Sequence, residues 1–234
     1  MQKPVAPPSV AGIEPTSQHA LITGGAGALA TAVAAALTDA GLTVHAPPRA
    51  ALDVRDSGAV STYIAALPRL DLLVNAAGLV VDKPLARMSP QDWGTVVDTN
   101  LTGAFHTARA AARPMAKQRG GHIVNIGSYS ALSGPAGQAN YAAAKAGLHA
   151  LTQSLAAELG PRNVRANTVL PGFMDTKITT AVTPERRGAV LAQHSLGRFN
   201  TPGAVAAFIT HLHLHLPHTS GQLFNLDSRP VGTS

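Results

Sequence analysis

From His19 onward the chain alternates short apolar runs with longer stretches of helical pattern, and that alternation narrows the fold more than anything else in the sequence. "HALIT" gives way to "ALATAVAAALTDAG"; "TVHA" and "LDV" follow; "LDLLVNAAG" leads into a long helical stretch opening at Ser89. "GHIVNIGS", "YAAAKAGLHALTQSLAAEL", "VRANTVLPG" and a last run "GQLFNLD" complete the series. Near-continuous apolar runs read as strands buried on both faces, and helices recurring between them supply the covers. The expectation is one α/β domain of the Rossmann type, a doubly wound parallel sheet with helices on both faces.

Local signals sharpen this reading. "SPQD" places Ser89 at a helix N-cap, proline at the first helical position and Asp92 as an acidic capping partner, so a helix should run from there to the glycines at 120 and 121. Between "TVHA" and "LDV" stand only the five residues "PPRAA", whereas a crossover helix with its loops takes about a dozen or more. A shortened connection after the second strand is therefore expected.

The chain has 234 residues, 45% of them hydrophobic, enough for one full core that buries roughly 70–75% of the unfolded chain's surface. Residues 1–18, rich in proline and serine without periodicity, read as a flexible arm, and residues 19–234 as the folded domain. No apolar run reaches the ~18 residues of a membrane span and the N-terminus lacks signal or transit character, so a cytoplasmic protein is expected, with no membrane partner. There is no cysteine, which removes disulfides, thiolate metal sites and a thiol nucleophile together. The net charge is +6, but the basic residues are scattered and aromatics make up only 4%, which speaks against nucleic-acid binding.

Two stretches carry chemistry on the residues themselves. In "LITGGAGALATAV", Gly25-x-Gly27-x-x-Ala30 fits the G-x-G-x-x-G/A dinucleotide fingerprint between a strand and a helix. The first glycine makes the turn, the second lets the backbone approach the pyrophosphate, and the third position needs only a small residue. Readers of NAD carry an acid near the end of the second strand, and readers of NADP a base. Here "HAPPRA" offers no acid and one base, Arg49, which favours NADP(H) and leaves NAD(H) as the alternative. In "SYSALSGPAGQANYAAAK", Ser128 stands thirteen residues before Tyr141, and Lys145 follows Tyr141 by four, one turn along the same helix face. An ammonium beside a phenol favours the phenolate, so Lys145 is expected to lower the Tyr141 pKa and fit it to give a proton to a carbonyl. "HLHLHLPH" at 211–218 would align its histidines only on a strand; the helical pattern before it predicts a helix end and turn, and no metal site.

With these motifs in place, the chain from His19 to Asp227 resembles the short-chain dehydrogenase/reductase superfamily, and within it most closely the 3-oxoacyl-[acyl-carrier-protein] reductases. The resemblance rests on the glycine loop, "DV" at Asp53, "NAAG" from Asn75 to Gly78, "NLTGAF" at Asn100, Ser128, Tyr141 with Lys145, and "PGFMDT" from Pro171 to Thr176, all in order. It implies four catalytic side chains: Tyr141 to protonate the carbonyl oxygen, Ser128 to orient it, Lys145 to hold the nicotinamide ribose, and Asn100 to hold a water in the proton path. For the cofactor it implies contacts from Thr23, Gly24, Gly25, Gly27 and Leu29 around the phosphates, and from Arg49, Asp53 and Val54 at the adenosine end. Asn75, Ala76, Ala77 and Gly78 would lie along the adenosine ribose, and Pro171, Gly172, Met174 and Thr176 beside the carboxamide. The glycine loop departs from the family's usual T-G-x-x-x-G-x-G, with Ala28 and Ala30 in glycine places. Gly27 restores instead the T-G-x-x-G-x-x-G spacing of epimerase-like members.

The resemblance implies NADPH-dependent reduction of a 3-oxoacyl thioester carried by acyl-carrier protein or CoA, as in fatty acid biosynthesis. It also implies a homotetramer pairing the helices at 89–118 and 141–159, and docking of an acidic carrier protein on Arg119 and Arg162 near the active-site mouth. Two other readings stay open: another ketone or alcohol substrate (sugar, polyol or steroid), or a dinucleotide-binding sensor without turnover.

Overall fold

The computed structural model describes residues 18–176, 179–180 and 182–230. The proposed N-terminal arm thus lies, except for Gln18, outside the described residues. Six strands form one sheet in the order β2-β1-β3-β4-β5-β6, every neighbouring pair parallel. They are β1 (His19–Ile22), β2 (Thr43–His45), β3 (Leu72–Asn75), β4 (Gly121–Ile126), β5 (Val164–Leu170) and β6 (Leu223–Asn225). The helices are α1 (Ala28–Asp39), α2 (Ser57–Ala65), α3 (Pro90–Val97), α4 (Gly103–Gln118), α5 (Ser130–Ser133), α6 (Ala139–Leu159), α7 (Pro184–Ala192) and α8 (Pro202–His215). The expected architecture holds.

Alternation along each strand splits the core into two layers. Ala20, Ile22, Leu72, Val74, Val124 and Val169 face α1 and α8, meeting Val33, Leu37, Ile209 and Leu212. Leu21, Leu73, Ile123 and Ala166 face the other way, toward Val60 and Ile64 of α2 and Ala108, Ala111 and Met115 of α4. Each large side chain so buried contributes about 1.5–3 kcal/mol, and both faces are sealed.

The connection after β2 is short, as expected, but "LDV" is no strand. Leu52 and Val54 are buried as loop residues, 3% and 5% exposed, and α2 alone carries the crossover to β3. The doubly wound order with a strand outside the second one is therefore truncated, and three-residue β2 is the sheet edge. Pro47 and Pro48 follow it after Ala46, and since proline donates no hydrogen bond, the edge strand stops there.

Ser89 caps α3 with Asp92 as its capping-box partner and proline at the first turn. The helical stretch continues toward Gly120 through a π-turn at Asp98–Thr102, with Asn100 inside it. "HLHLHL" is the end of α8. His213 turns inward and stacks on His122, while His211 and His215 lie one turn apart on the exposed side with their rings tilted at 39° to each other. Among the described residues there is no group of three or more His, Asp or Glu able to hold a metal.

Candidate active site

β1 and β3 diverge in chain order at the point where the sheet reverses direction, and the crevice beyond the carboxyl ends of such strands is where ligands bind in this fold class. There the structure has a cleft of about 620 Å³. One end is walled by Gly27, Ala28, Leu29 and Ala30, with Ala76 and Gly78 beside them. The middle holds Ser128, Tyr141 and Lys145, and Pro171, Gly172, Met174 and Thr176 close one side. Val182, Arg186, Ala189 and Val190, around α7, form the far wall.

The glycine turn is built by close approaches. Gly24 has φ +71°, and a Cβ there would stand 2.8 Å from the Ala77 Cα; a Cβ on Gly25 would stand 2.0 Å from the Ala46 carbonyl oxygen. Gly27 differs, since among the described residues its Cβ would meet only the Gly24 oxygen, at 3.3 Å. It is the N-cap of α1, a twelve-residue helix with no side-chain cap and no acid in its first turn, so that helix end offers free N–H groups to an anion. Ala28 lines the cleft without filling it, and Ala30 is buried under the turn, 2% exposed. The residues present fit a dinucleotide pyrophosphate.

Thr23 accepts at Oγ1 from the backbone N–H groups of Ala76 and Ala77, both 3.1 Å away, and so ties the "NAAG" segment to the glycine turn. Asn75 points away from the cleft. Its amide donates to Asn125 Oδ1 at 2.9 Å and accepts from Thr107 at 2.7 Å, which makes it a buried brace between sheet and α4. Asn100 donates to the carbonyls of Leu79 and Val96, at 2.8 and 2.9 Å. Among the described residues its Oδ1 is buried without a partner, next to Gly78. A buried unpaired acceptor is costly, and a water here would satisfy it.

Lys145 is 4% exposed and donates to the Ile126 carbonyl at 2.7 Å. Burial pulls its pKa down to about 8. The expected lowering of the Tyr141 pKa is not found: its pKa is raised. Burial pushes the phenol up, the neighbouring Ser128 hydroxyl works the other way, and Asp82 raises it further. Lys145 keeps its ammonium 5.6 Å from the ring centre, and burial outweighs any lowering of the phenol. The result is a phenol held in its protonated form, the form that can give a proton.

At the adenosine end Arg49 is largely exposed, 66%, and reaches Asp53 at 3.3 Å. Arg55 holds the same carboxylate at 2.6 Å and keeps its pKa well below the usual carboxylate range. Sequence reasoning missed Arg55, although "DVRD" sets it two residues past Asp53. Thr23, Gly24, Gly25, Arg49, Asp53, Val54, Asn75 and Ala77 surround or support the cleft rather than line it. Gln138 was missed too. It donates to Asp82 and accepts from Ser130, closing the cleft's rim just ahead of α6. Arg119 and Arg162 stand just ahead of β4 and β5, whereas Ser128 and Pro171 follow those strands. Within one copy of the chain the two arginines are therefore about 20 Å away, a six-residue strand's length, and not at the cleft mouth.

A family model described as short chain dehydrogenase matches residues 49–187. The chain belongs to the short-chain dehydrogenase family. Among curated relatives it is 46% identical over 143 residues to a 3-oxoacyl-[acyl-carrier-protein] reductase of Vibrio cholerae, a match covering 61% of this chain and 59% of that protein. A reductase of the same name from Salmonella typhimurium is 39% identical over 165 residues, 69% of this chain and 68% of the relative. The match thus spans about three fifths to two thirds of these relatives. Solved structures align more fully: gox2181 at 32% identity and TM-score 0.84, covering 90% of this chain and 94% of that one. A candidate gluconate dehydrogenase of Agrobacterium tumefaciens aligns at 30% identity and TM-score 0.86, covering 91% and 95%.

Proposed function

We propose that the chain is an NADPH-dependent reductase of a 3-oxoacyl thioester, linked to acyl-carrier protein or CoA. The observation that carries this is the convergence of Ser128, Tyr141 and Lys145 in one cleft whose other end is the free N-terminus of α1. The similarity to reductases of that name supports the substrate class. The nicotinamide supplies the hydride. Tyr141, kept protonated by burial, gives its proton to the carbonyl oxygen as charge develops there, and Ser128 orients that oxygen. Lys145 holds the nicotinamide ribose, and the unpaired Asn100 Oδ1 holds a water through which the phenol is reprotonated. Gly27, Leu29 and the first turn of α1 take the pyrophosphate, and Arg49, with Arg55 beside it, takes the adenosine 2′-phosphate. The assembly is a homotetramer through α4 and α6, and light scattering that returned a monomer mass would refute that. Arg119 and Arg162 then present a basic patch for an acidic carrier protein that serves the cleft of a neighbouring copy.

A second reading, a sugar or polyol substrate, is favoured by one observation: a candidate gluconate dehydrogenase matches nearly the full length of the chain. Oxidation of NADPH with acetoacetyl-CoA, beside a panel of keto sugars and free ketones, decides between the two. Turnover of acetoacetyl-CoA alone supports the first reading, and turnover of the panel alone replaces it. Cofactor binding without any turnover leaves a dinucleotide sensor.

A further inference from the structure

Beyond the last strand the chain wraps back over the substrate end of the cleft and is pinned there by one buried carboxylate. Asp227 has no exposed side-chain surface. It accepts from the Arg229 backbone N–H at 2.9 Å and from its Nε at 3.0 Å, while the His194 ring packs against it from the other side, Nε2 3.1 Å away with no hydrogen bond between them. Each partner reaches a different wall of the cleft.

His194 donates from Nδ1 to the Val190 carbonyl at 2.7 Å, so it grips the end of α7, whose residues Arg186, Ala189 and Val190 line the substrate side. Arg229 lays its guanidinium 3.7 Å over the ring of Tyr129, the residue after Ser128. The Tyr129 hydroxyl donates to the Pro230 carbonyl at 3.0 Å, closing the loop between the catalytic turn and the tail. The Ser195 N–H bonds the Ser228 carbonyl at 3.2 Å, a second strut to the segment after α7. The cofactor loop has its own tether, since Asn200 donates to the Pro171 carbonyl at 2.8 Å and to the Phe173 carbonyl at 3.0 Å.

We propose that Arg229 is a positioning residue for the substrate side of the cleft, holding α7 and the Tyr129 turn in place through the buried carboxylate of Asp227. The argument is electrostatic. Removing one partner of a buried pair leaves an uncompensated charge, which costs far more than the pair itself contributes. The cheapest relief is opening of the segment at 226–230 so that water reaches Asp227. That opening releases the stack on Tyr129 and the hold on α7, while Tyr141 and Lys145, on α6, touch none of these groups. Substrate binding loosens before chemistry does.

The kinetic half of the test rests on the reductase reading, so it is paired with one that does not. Arg229→Ala is expected to raise KM for the ketone about 10-fold, as misplacement of a positioning wall does, with kcat and the NADPH Kd nearly unchanged. Amide hydrogen exchange should quicken at 184–193 and 128–133 and stay as in the parent along β3 and β4. Arg229→Lys keeps the charge and should restore part of both effects. Asp227→Asn with Arg229→Gln leaves no buried charge unpaired, so it should fold even if Arg229→Ala does not, and should show slower exchange at α7 than that single variant. Unchanged exchange at α7 in Arg229→Ala, or faster exchange spread evenly through the sheet, overturns the proposal, as does a fall in kcat with KM constant. If no ketone is turned over at all, the reductase reading fails and the exchange pattern alone decides this one.

Discussion

Lys145 passes 5.6 Å from the centre of the Tyr141 ring, yet gives its hydrogen bond to the Ile126 carbonyl at the end of β4. The lysine is thus fixed by the sheet, not by the tyrosine. What tunes the phenol is burial first, with the Ser128 hydroxyl opposing it and Asp82 adding to it.

Tyr141→Phe tests the proton donor. The ring and its packing stay and only the hydroxyl goes, so kcat should fall by the ~10²-fold or more typical of losing a general acid. NADPH binding, followed by fluorescence titration, should hardly move. Near-parent turnover in this variant would falsify the assignment.

Gly25 and Gly27 should respond differently to alanine. At Gly25 the added carbon would meet the Ala46 oxygen at 2.0 Å, so the turn has to shift and the melting temperature should drop by several degrees. Gly27 has φ −78° and open space on its cleft side, so Gly27→Ala should fold like the parent yet bind NADPH at least ~10-fold more weakly, because its methyl stands where the pyrophosphate must approach. Calorimetric melting beside cofactor titration separates the two. Equal loss of fold in both would mean that the second glycine serves the turn alone.

Arg49→Ala addresses cofactor choice. Arg49 is exposed, and its only partner among the described residues is Asp53, which Arg55 also holds, so the change costs little stability. It should lower kcat/KM for NADPH by about 10-fold, the weight of one charge-assisted contact, and leave NADH nearly as it was. An unchanged ratio between the two cofactors would remove Arg49 from the phosphate site.

Acid should unfold this protein through two stacked histidines. His122 and His213 are buried with ring centroids 5.6 Å apart. Burial first, and the Arg165 charge second, push His213 down to about 4 and His122 well below its ordinary value; on His213 alone Asp71 pulls the other way. The folded state therefore holds these protons less tightly than the unfolded chain. Stability contributed by the neutral rings is present above the unfolded pKa near 6.5 and is lost as pH falls from there toward 4. His213 alone accounts for roughly 2 kcal/mol at pH 5. Melting temperature should fall steeply between pH 7 and pH 5, and His213→Phe should flatten that fall; an equally steep fall in the variant would place the sensitive groups elsewhere.

Much of this was legible in the residues because strands buried on both faces leave continuous apolar runs, and because Ser89 to Asp92 spell a helix start. The Tyr141 and Lys145 spacing was legible because a helix turn brings residues four apart together, whereas Ser128 reaches the same cleft from the loop after β4. "LDV" misled because Leu52 and Val54 are buried and apolar like strand residues, although what buries them is α2 and α4 rather than sheet neighbours. Asn75 could not be told from a cleft residue, since only the tertiary fold brings Asn125 and Thr107 to its amide. Arg229 left no local signal either, its partners lying 35 and 100 residues earlier at His194 and Tyr129 by way of Asp227. The pairing of His211 with His215 was hidden by the eye-catching period of two, which the helix overrides with its period of four.

The π-turn at Asp98–Thr102 amounts to one surplus residue threaded into a helix. Winding the same residues as regular α-helix, with none removed, would give a straighter rod and a worse protein. Each residue advances an α-helix by about 100°, so everything from Gly103 onward would rotate by that angle. Thr107 would swing away from Asn75, and Ala111 and Met115 would leave the layer beneath β3 and β4. The irregularity acts as a phase adjuster between two halves of one rod: the first half is set by the Ser89 cap, the second by the sheet, and Asn100 sits at the joint where their angular settings are reconciled.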